Sequence, residues 1–459
     1  MVVQHNMQAA NANRMLNVTT SAQSKSTEKL SSGYRINRAA DDAAGLTISE
    51  KMRKQIRGLD QASTNAEDGV SSVQTAEGAL TEVHSMLQRM NELATQAANG
   101  TNSKDSDRQA IQDEIDQLTT EIDRVSETTK FNETYLLKGD KGATKNVYMN
   151  GHDAGLKGTL TDSAKSATFV MDELKAGDKV TIAGKEYSIG STADEAKASY
   201  AKAAAGDKVT IDGTEYTVVD ATTGTEDADN NELKVTSLDG KVKDGSVVSY
   251  KTSKLTVMTD KNNDGVDDDD SSVISKDVAE GKILSELTAA NNIGTVDQAA
   301  TVAKATANGK TTYTITKGYA TVADTLSFNL HVGADADMTN KINVSIDSMD
   351  SASLGIKGLN IKDDSGNAAT YAVDAISDAI SKVSSQRSSL GAVQNRLEHT
   401  IDNLDNVVEN TTSAESRIRD TDMAKEMVNY SKNNILAQAG QSMLAQANQS
   451  NQGVLSLLQ

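Results

Sequence analysis

Residues 59–97 read LDQASTNAEDGVSSVQTAEGALTEVHSMLQRMNELATQA, and they carry the strongest helical pattern of the chain. Its apolar residues recur every three or four positions, which is the spacing of one face of a helix in a coiled coil. The stripe continues upstream to about residue 45, which predicts a helix several times longer than the globular average of about eleven residues. Gly69 is the weak point of the seam. The seam consists of Leu59, Ala62, Ala66, Val73, Ala76, Leu80, Val83, Leu87, Met90, Ala94 and Ala97.

Start and stop signals bracket this helix. Asp41 and Asp42 precede it, where carboxylates accept backbone N–H groups and complement the positive end of the helix dipole. Asn99 and Gly100 follow it, and both residue types favour helix ends. The predicted helix therefore runs from about residue 45 to about residue 98.

Two further amphipathic helices are predicted, one near residues 111–125 and one near residues 373–408. Polar Arg387 and Gln394 occupy seam positions of the later helix, where they are predicted to fix its register. Because these helices come from both ends of the chain, the N- and C-terminal segments are predicted to pack together. The two seams consist of Ile111, Ile115, Leu118, Ile122 and Val125, and of Val373, Ile376, Ile380, Val383, Leu390, Leu397, Ile401, Leu404 and Val408.

The middle of the chain, residues 146–325, has the pattern of β-strands and contains an internal repeat. AGDKVTIAGKEYSI at 176–189 recurs as AGDKVTIDGTEYTV at 205–218. Each copy predicts a β-hairpin, with its turn at Ala183-Gly184 or at Asp212-Gly213.

Within the middle segment, residues 277–306 are predicted to be helical and residues 309–347 to return to strands. The fold class that follows is α+β. A long antiparallel helical bundle or coiled coil is formed by both chain ends, and a β-rich insert domain lies between them in sequence.

Composition excludes several classes of function. The 459-residue chain has a net charge of −19, which disfavours nucleic acid and anionic membranes as partners. It has no cysteine and therefore no disulfide or thiolate metal site, and its lack of proline suits unbroken helices. No apolar run approaches the roughly 20 residues of a membrane span. Residues 1–20 lack the cationic and apolar regions of a secretory signal peptide, so no cleavable signal is expected.

The outermost segments, residues 1–33 and 423–459, are rich in Ala, Asn, Gln and Ser and poor in apolar residues. Each alone buries too little apolar surface to offset the entropy lost on ordering. These tails are therefore expected to be mobile in the monomer and to fold against other copies of the chain.

The run LSSGYRINRAADDAAGL at residues 30–46 resembles the N-terminal signature of bacterial flagellins. The opening Val2-Val-Gln-His-Asn and the closing VLSLLQ at 454–459 are similar to the ends of that family. The resemblance covers about residues 1–140 and 326–459, and the middle segment takes no part in it.

The resemblance implies a domain organisation and a function. Residues 1–42 and 417–459 would form the terminal helices of a filament core, and residues 43–145 and 326–416 a helical stalk domain with a β-element. Residues 146–325 would form a variable, acidic surface domain. The implied protein is a self-polymerising subunit of the extracellular flagellar filament. It would be exported without a cleavable signal peptide. No cofactor is predicted. The implied partners are further copies of the chain, an export chaperone, and capping and hook-associated proteins.

Two surface sites are predicted from the tails and the first long helix. The tail residues are predicted to make contacts between subunits. The segment from Gln88 to Gln96 resembles the flagellin segment that a Toll-like innate receptor recognises, and Glu114 on the second helix matches the same family pattern. The resemblance implies that these helix residues pack in the filament and bind the receptor when the chain is a monomer. Arg89 and Leu93 share one helix face off the seam, so Leu93 is expected just outside the core, the alternative being that it widens the core stripe. The polymerisation residues are Met7, Leu16, Met427, Leu436, Met443, Leu455 and Leu458, and the receptor residues are Gln88, Arg89, Leu93, Gln96 and Glu114.

A weak metal candidate is the start of a calcium loop at Asp260, Asn262 and Asp264, followed by Gly265. The twelfth position of that loop is Ser271 in place of a bidentate Glu, which favours an acidic surface turn. No metal site is therefore predicted.

No catalytic residues are predicted, because the five histidines are scattered and no H-E-x-x-H, G-x-S-x-G or phosphate loop occurs. One alternative is a hook-associated or secretion-needle-like structural protein with similar helical ends. A second hypothesis, compatible with the role of a filament subunit, is that the insert binds glycans.

Overall fold

The structure is a computed structural model that describes residues 6–103, 106–363 and 366–456. For residue 141 and residues 450–456 it describes the backbone alone. The helices are α1 (Met7–Ser32), α2 (Ala43–Ala97), α3 (Asp107–Thr128), α4 (Ala193–Tyr200), α5 (Val235–Asp239), α6 (Lys276–Asn291), α7 (Ser351–Leu354), α8 (Asn367–Arg419) and α9 (Met423–Ser456), with a 3-10 turn at Met338–Asn340.

The strands belong to several small sheets. They are β1 (Lys130–Phe131), β2 (Thr134–Tyr135), β3 (Asp140–Tyr148), β4 (Thr159–Asp162), β5 (Ser166–Asp172), β6 (Lys179–Ile182), β7 (Lys185–Ile189), β8 (Lys208–Ile211), β9 (Thr214–Val218), β10 (Glu232–Leu233), β11 (Val247–Tyr250), β12 (Ser253–Thr256), β13 (Val273–Ile274), β14 (Thr301–Ala307), β15 (Lys310–Thr316), β16 (Tyr319–Asp324), β17 (Leu326–His331) and β18 (Lys341–Ile346).

The chain forms two compact units. The terminal unit comprises the described residues up to 71, residues 328–344 and the described residues from 392 onward. The central unit comprises the described residues of 72–327 and 345–391. The long helices α2 and α8 contribute residues to both units, and the predicted α+β class with paired terminal helices is confirmed.

In the terminal unit, α2 and α8 pack along each other in opposite directions. Leu59 packs near Leu404, and Ala66 near Leu397, so rising numbers on one helix meet falling numbers on the other. The paired strands β17 and β18, which lie largely in this unit, cover the helices with Leu330 and Ile342, and Val332 directly after β17 joins the same core. The heptad seam of the sequence is thus the buried face of an antiparallel pair.

Gly69 has a packing role in this unit. A Cβ at that position would stand 2.3 Å from Cδ1 of Leu330 on β17, which is far inside van der Waals contact. At the weak point of the predicted seam, the missing side chain therefore leaves room for Leu330 of β17.

In the central unit, the remaining α2 seam is fully buried. Leu80, Leu87 and Met90 have no exposed surface, and neither do Ile115 and Ile122 of α3. A three-helix bundle of α2, α3 and α8 therefore has the core that the spacing predicts. The α8 residues that join this core are Ile376, Val383 and Leu390.

Polar side chains fix the register and the ends of this bundle. Nη2 of Arg387, a seam position of α8, donates to Oε1 of Glu77 on α2 at 2.9 Å. The buried Arg108 of α3 donates from Nε to the carbonyl of Ala97 at 2.9 Å, and so satisfies a carbonyl at the end of α2. The same guanidinium donates to the carbonyl of Asp363 at 2.6 Å.

The two repeated hairpins form as predicted. β6 pairs with β7, and β8 pairs with β9, each antiparallel. Ala183-Gly184 and Asp212-Gly213 all have positive φ, as the two central residues of a type I′ turn require. Their cores differ, because the first copy packs with α6 and the second packs with α4 and α5.

The predicted helix over 277–306 is wrong in its second half. Helix α6 ends at Asn291, and residues 301–307 form the strand β14, which pairs antiparallel with β15. The turn between them is Asn308-Gly309, with φ of 55° and 72°. The alanine content of 301–307 favours a helix, but the Asn-Gly turn and the facing strand favour a hairpin.

Candidate assembly and recognition surfaces

Helices α1 and α9 pack against each other in the terminal unit with a thin interior. Among their described side chains, Ser26 and Ala437 are the buried ones. Leu16 lies over Gly440, where an added Cβ would be 3.3 Å from the leucine Cδ1. Nδ2 of Asn6 donates to the carbonyl of Ala447 at 3.1 Å. Such a pair buries little of the apolar surface that its two helices carry.

The outer faces of the pair carry that remaining apolar surface. Met7 is 71% exposed and Ile435 is 67% exposed, values unusual for side chains of their size. On α9, Val428 and Ile435 are seven residues apart and form one stripe with Met427 and Ala424. A contiguous exposed apolar strip of this kind marks a protein-contact surface. The exposed apolar residues of the pair are Met7, Met15, Val18, Met423, Met427, Val428, Ile435, Leu436 and Met443.

The predicted polymerisation residues fall into three groups. Met7, Met427, Leu436 and Met443 are exposed. Leu16 is half-buried against Gly440 and holds α1 to α9. The side chain of Leu455 and all of Leu458 lie outside the described residues. Sequence reasoning missed Val428, whose seven-residue spacing to Ile435 was the available signal.

The inner ends of α1 and α9 are tied together through the chain around residues 33–35 and 418–421. The Arg35 backbone N–H donates to the carbonyl of Arg419 at 2.7 Å, and the Thr421 N–H donates to the carbonyl of Gly33 at 2.9 Å. The Arg419 guanidinium lies over the ring of Tyr34, 4.8 Å from its centroid. Arg419 also donates to Glu50 at 2.8 Å, and this hydrogen bond lowers the pKa of the Glu50 carboxyl. The signature run thus anchors both tail helices to α2.

The second predicted surface lies on α2 and α3 in the central unit. Nε of Arg89 donates to Oε1 of Glu114 at 2.9 Å, and its Nη1 lies 3.2 Å from Oε2 of Glu92. The hydrogen bond to Glu114, followed by that to Glu92, raises the pKa of the Arg89 guanidinium. Gln88 and Gln96 are exposed on the same helix. The structure therefore brings Arg89 and Glu114 together as a solvent-facing ion pair.

The burial of Leu93 differs from the prediction. It is 2% exposed and belongs to the core, so the prediction that it lies just outside the core is wrong. Leu87, Met90, Leu93, Ala94 and Ala97 are all buried. The apolar face of α2 is therefore wider than the two-position seam of a coiled coil, because it must serve a bundle of more than two helices. The alternative that Leu93 widens the core stripe describes the structure.

The candidate calcium loop is a turn whose carboxylates bind its own backbone. Asp260 accepts the N–H of Gly265 at 2.9 Å, and Asp264 accepts the N–H of Val266 at 2.8 Å. Asn262 accepts the N–H of Asp264 at 3.0 Å. Across the described ranges, no group of three or more His, Asp or Glu side chains is placed to hold a metal ion. The loop geometry is that of consecutive Asx turns.

One polar cluster was not foreseen from the sequence. His152, after β3, places Nε2 3.3 Å from Oδ2 of Asp378 on α8, and its backbone N–H donates to Oδ1 of Asn291 at 2.9 Å. Burial of the imidazole opposes its protonation, but the hydrogen bond and charge of Asp378 raise the pKa of His152 above its ordinary value. Burial also raises the pKa of the neighbouring Asp374. The cluster fastens α6, α8 and the segment after β3 to one another.

Among the described residues, no helix combines the length and the apolar character needed to cross a membrane.

Comparison with known proteins identifies the family. The model of the bacterial flagellin N-terminal helical region matches residues 3–142, and that of the C-terminal helical region matches residues 373–458. A flagellin of Clostridium tyrobutyricum is 40% identical over 98% of this chain and 100% of its own length. A flagellin of Bacillus subtilis is 35% identical over 100% of both chains.

The solved structure of FliC from Burkholderia pseudomallei is 18% identical and covers 72% of this chain and 99% of its own. Its TM-score is 0.29, so the full-length sequence relatives establish the family and this structure does not. The same relatives disfavour the alternative of a hook-associated protein. The chain belongs to the bacterial flagellin family and is a structural protein of the flagellum, not an enzyme.

Proposed function

We propose that this chain polymerises into the flagellar filament through the outer faces of α1 and α9. The observation that carries the proposal is the apolar strip on these two helices, which is exposed in the single chain. The free energy falls when a neighbouring subunit removes exposed methionine and aliphatic side chains from water. Membership of the flagellin family supports the same function.

The test is seeded assembly. The full chain and a version lacking residues 1–40 are purified as monomers, seeded with filament fragments and followed by light scattering and electron microscopy. The full chain is expected to grow tubular filaments, and the shortened chain is expected to remain monomeric. Growth of both versions, or of neither, contradicts the assignment of α1 to assembly.

The predicted domain organisation belongs to this proposal. Residues 1–42 and 417–459 would form the filament core, residues 43–145 and 326–416 the stalk, and residues 146–325 the surface domain. The family models end at residue 142 and resume at residue 373, which supports a boundary between the helical ends and the middle of the chain. Limited proteolysis of filaments is expected to cut within 146–325 first, and early cleavage within 1–42 contradicts the division.

The chain is also proposed to bind a Toll-like innate receptor as a monomer, through Arg89 and Glu114 with Gln88 and Gln96 beside them. The exposed ion pair offers a charged donor and acceptor on one face, whereas buried Leu93 would act by packing beneath that face. Arg89→Ala is expected to weaken binding of the receptor ectodomain by about tenfold, as loss of a charge-assisted hydrogen bond predicts.

The matched control for Arg89 is Arg124→Ala, which removes another exposed ion pair, that with Glu121, from the same helical region. Surface plasmon resonance on monomers compares the two. Equal binding by wild type, Arg89→Ala and Arg124→Ala rules out the predicted contact.

Export without a cleavable signal and capture by an export chaperone complete the proposal. The chaperone would cover the apolar strip around Met427, Val428 and Ile435 before export, because chains with this strip uncovered would polymerise before they are exported. Mass spectrometry of the secreted chain is expected to find an intact N-terminal segment, and a start well downstream contradicts uncleaved export. Chaperone binding is expected to fall with Ile435→Ser and not with Gln438→Ser.

A further inference from the structure

A cavity of about 460 Å³ lies in the central unit between β3, α8 and the segment that contains α7. Both polar side chains and the apolar side chains of Val147, Met149 and Leu354 line this cavity. Lys145, Asp347, Ser353, Lys382 and Gln386 supply the polar groups. A concave, mixed surface with a few converging polar groups is the usual form of a small-ligand site.

The two ammonium groups of the cavity differ in their partners. Nζ of Lys145 lies 2.6 Å from Oδ1 of Asp347 and 2.7 Å from the hydroxyl of Thr325, so its charge is compensated. Nζ of Lys382 donates to the backbone carbonyl of Ser353 at 3.3 Å, and the described residues give it no ion pair within 4 Å. The nearest carboxylate on its own helix, Asp378, is engaged by His152.

Lys382 is half-buried, and this partial burial makes its charge costly. Removal of the ammonium from water lowers the pKa of Lys382, and the positive charge of Lys317 adds to this, while Asp378 opposes it. A cation that is partly removed from water is stabilised by a nearby anion, since a carbonyl dipole does not neutralise its charge.

A second group in the same place lacks a partner. Oγ of Ser353 is buried without any hydrogen bond, and Ser353 is 7% exposed. Its backbone carbonyl is the acceptor of Lys382, so the orphan hydroxyl and the uncompensated ammonium belong to residues in direct contact. Most buried polar groups in native proteins have a hydrogen-bond partner, so a ligand that supplied one here would stabilise the site.

We propose that this cavity, the Lys382 cavity, binds a small oxyanion, a carboxylate or a phosphate, between the Lys382 ammonium and the Ser353 hydroxyl. A water molecule could satisfy the hydroxyl, but only an anion also balances the charge. The bound anion would join α7 to α8 and so stabilise the central unit. The inference does not depend on filament assembly.

The test uses monomeric full chain and two probes, inorganic phosphate and acetate, each titrated by isothermal calorimetry at constant ionic strength. Saturable binding of either probe is expected, and the probe that binds identifies the anion class. Lys382→Met, which keeps the apolar stem, is expected to weaken that binding at least about tenfold. Lys357→Met, at an exposed lysine of the adjoining segment, is the matched control and is expected to bind as wild type does.

Ser353→Ala provides a second variant in case Lys382→Met fails to fold. It removes an unpartnered hydroxyl, so it is expected to leave the unliganded chain folded and still weaken anion binding. Phosphate also stabilises proteins non-specifically by exclusion from their surfaces. The inference is overturned if neither probe binds saturably, or if Lys382→Met or Ser353→Ala binds as tightly as Lys357→Met.

Discussion

The α1–α9 pair and the bundle of α2, α3 and α8 are both built from long helices, yet they bury their apolar residues very differently. In the bundle, the seam residues from Val73 to Ala97 are buried within the single chain. In the pair, Met7, Met427 and Ile435 face solvent. A helix whose apolar face is already covered serves the fold of the monomer, and one whose apolar face is uncovered is available for a partner.

The largest expected effect comes from the same kind of change made in each region. Leu87→Ala removes a fully buried side chain and leaves a cavity, so the central unit is expected to lose about 2–5 kcal/mol of unfolding free energy. Ile435→Ala removes an exposed side chain, so the monomer is expected to change by less than about 0.5 kcal/mol. Chemical denaturation of both monomers measures the difference, and similar losses would erase the contrast between the regions.

A smaller effect is expected from glycines within α2. Gly69→Ala places a Cβ 2.3 Å from Leu330, so it is expected to destabilise the terminal unit by about 1–3 kcal/mol. Gly78→Ala, where nothing lies within 4 Å, is expected to stabilise the chain by about 0.5–1 kcal/mol through helix propensity. Calorimetric unfolding of the two variants checks the signs, and a stabilising Gly69→Ala would show that β17 does not constrain α2.

The smallest effect concerns His152, and it depends on pH. Because the pKa of folded His152 is raised, its contribution to stability is fully present below the unfolded value of about 6.5 and is lost as the pH rises through the folded value. The stability gap between wild type and His152→Gln is therefore expected to narrow as the pH is raised from mildly acidic to mildly alkaline. Exposed His399→Gln serves as the control, and a gap that widens with pH contradicts the pairing with Asp378.

The helical part of the fold could be predicted because its signal is local. The spacing of Leu80, Leu87 and Met90 specifies the buried face wherever the partner helix comes from. Leu93 was placed wrongly because the width of that face depends on how many helices pack against it, which spacing alone does not reveal. The strand β14 was mistaken for helix because its alanines obscured the Asn308-Gly309 turn signal.

The polar sites could not be predicted because each joins residues that are far apart in sequence. Arg108 meets Asp363, and His152 meets Asp378, only after the central unit has formed. The lowered pKa of Lys382 likewise depends on its partial burial, and its lack of an ion pair on the engagement of Asp378 by His152. Residue type and spacing carry no record of these tertiary contacts.

The role of the exposed α9 face in polymerisation is tested by the critical concentration for seeded assembly of Ile435→Ala, compared with that of Gln438→Ala on the same helix. Both positions are exposed in the monomer, so neither substitution should alter its fold. Ile435→Ala is expected to raise the critical concentration several-fold or more, because its side chain would be buried only between subunits. Gln438→Ala is expected to leave the critical concentration near that of wild type. An unchanged critical concentration for Ile435→Ala would contradict the claim that the exposed apolar face of α9 drives polymerisation.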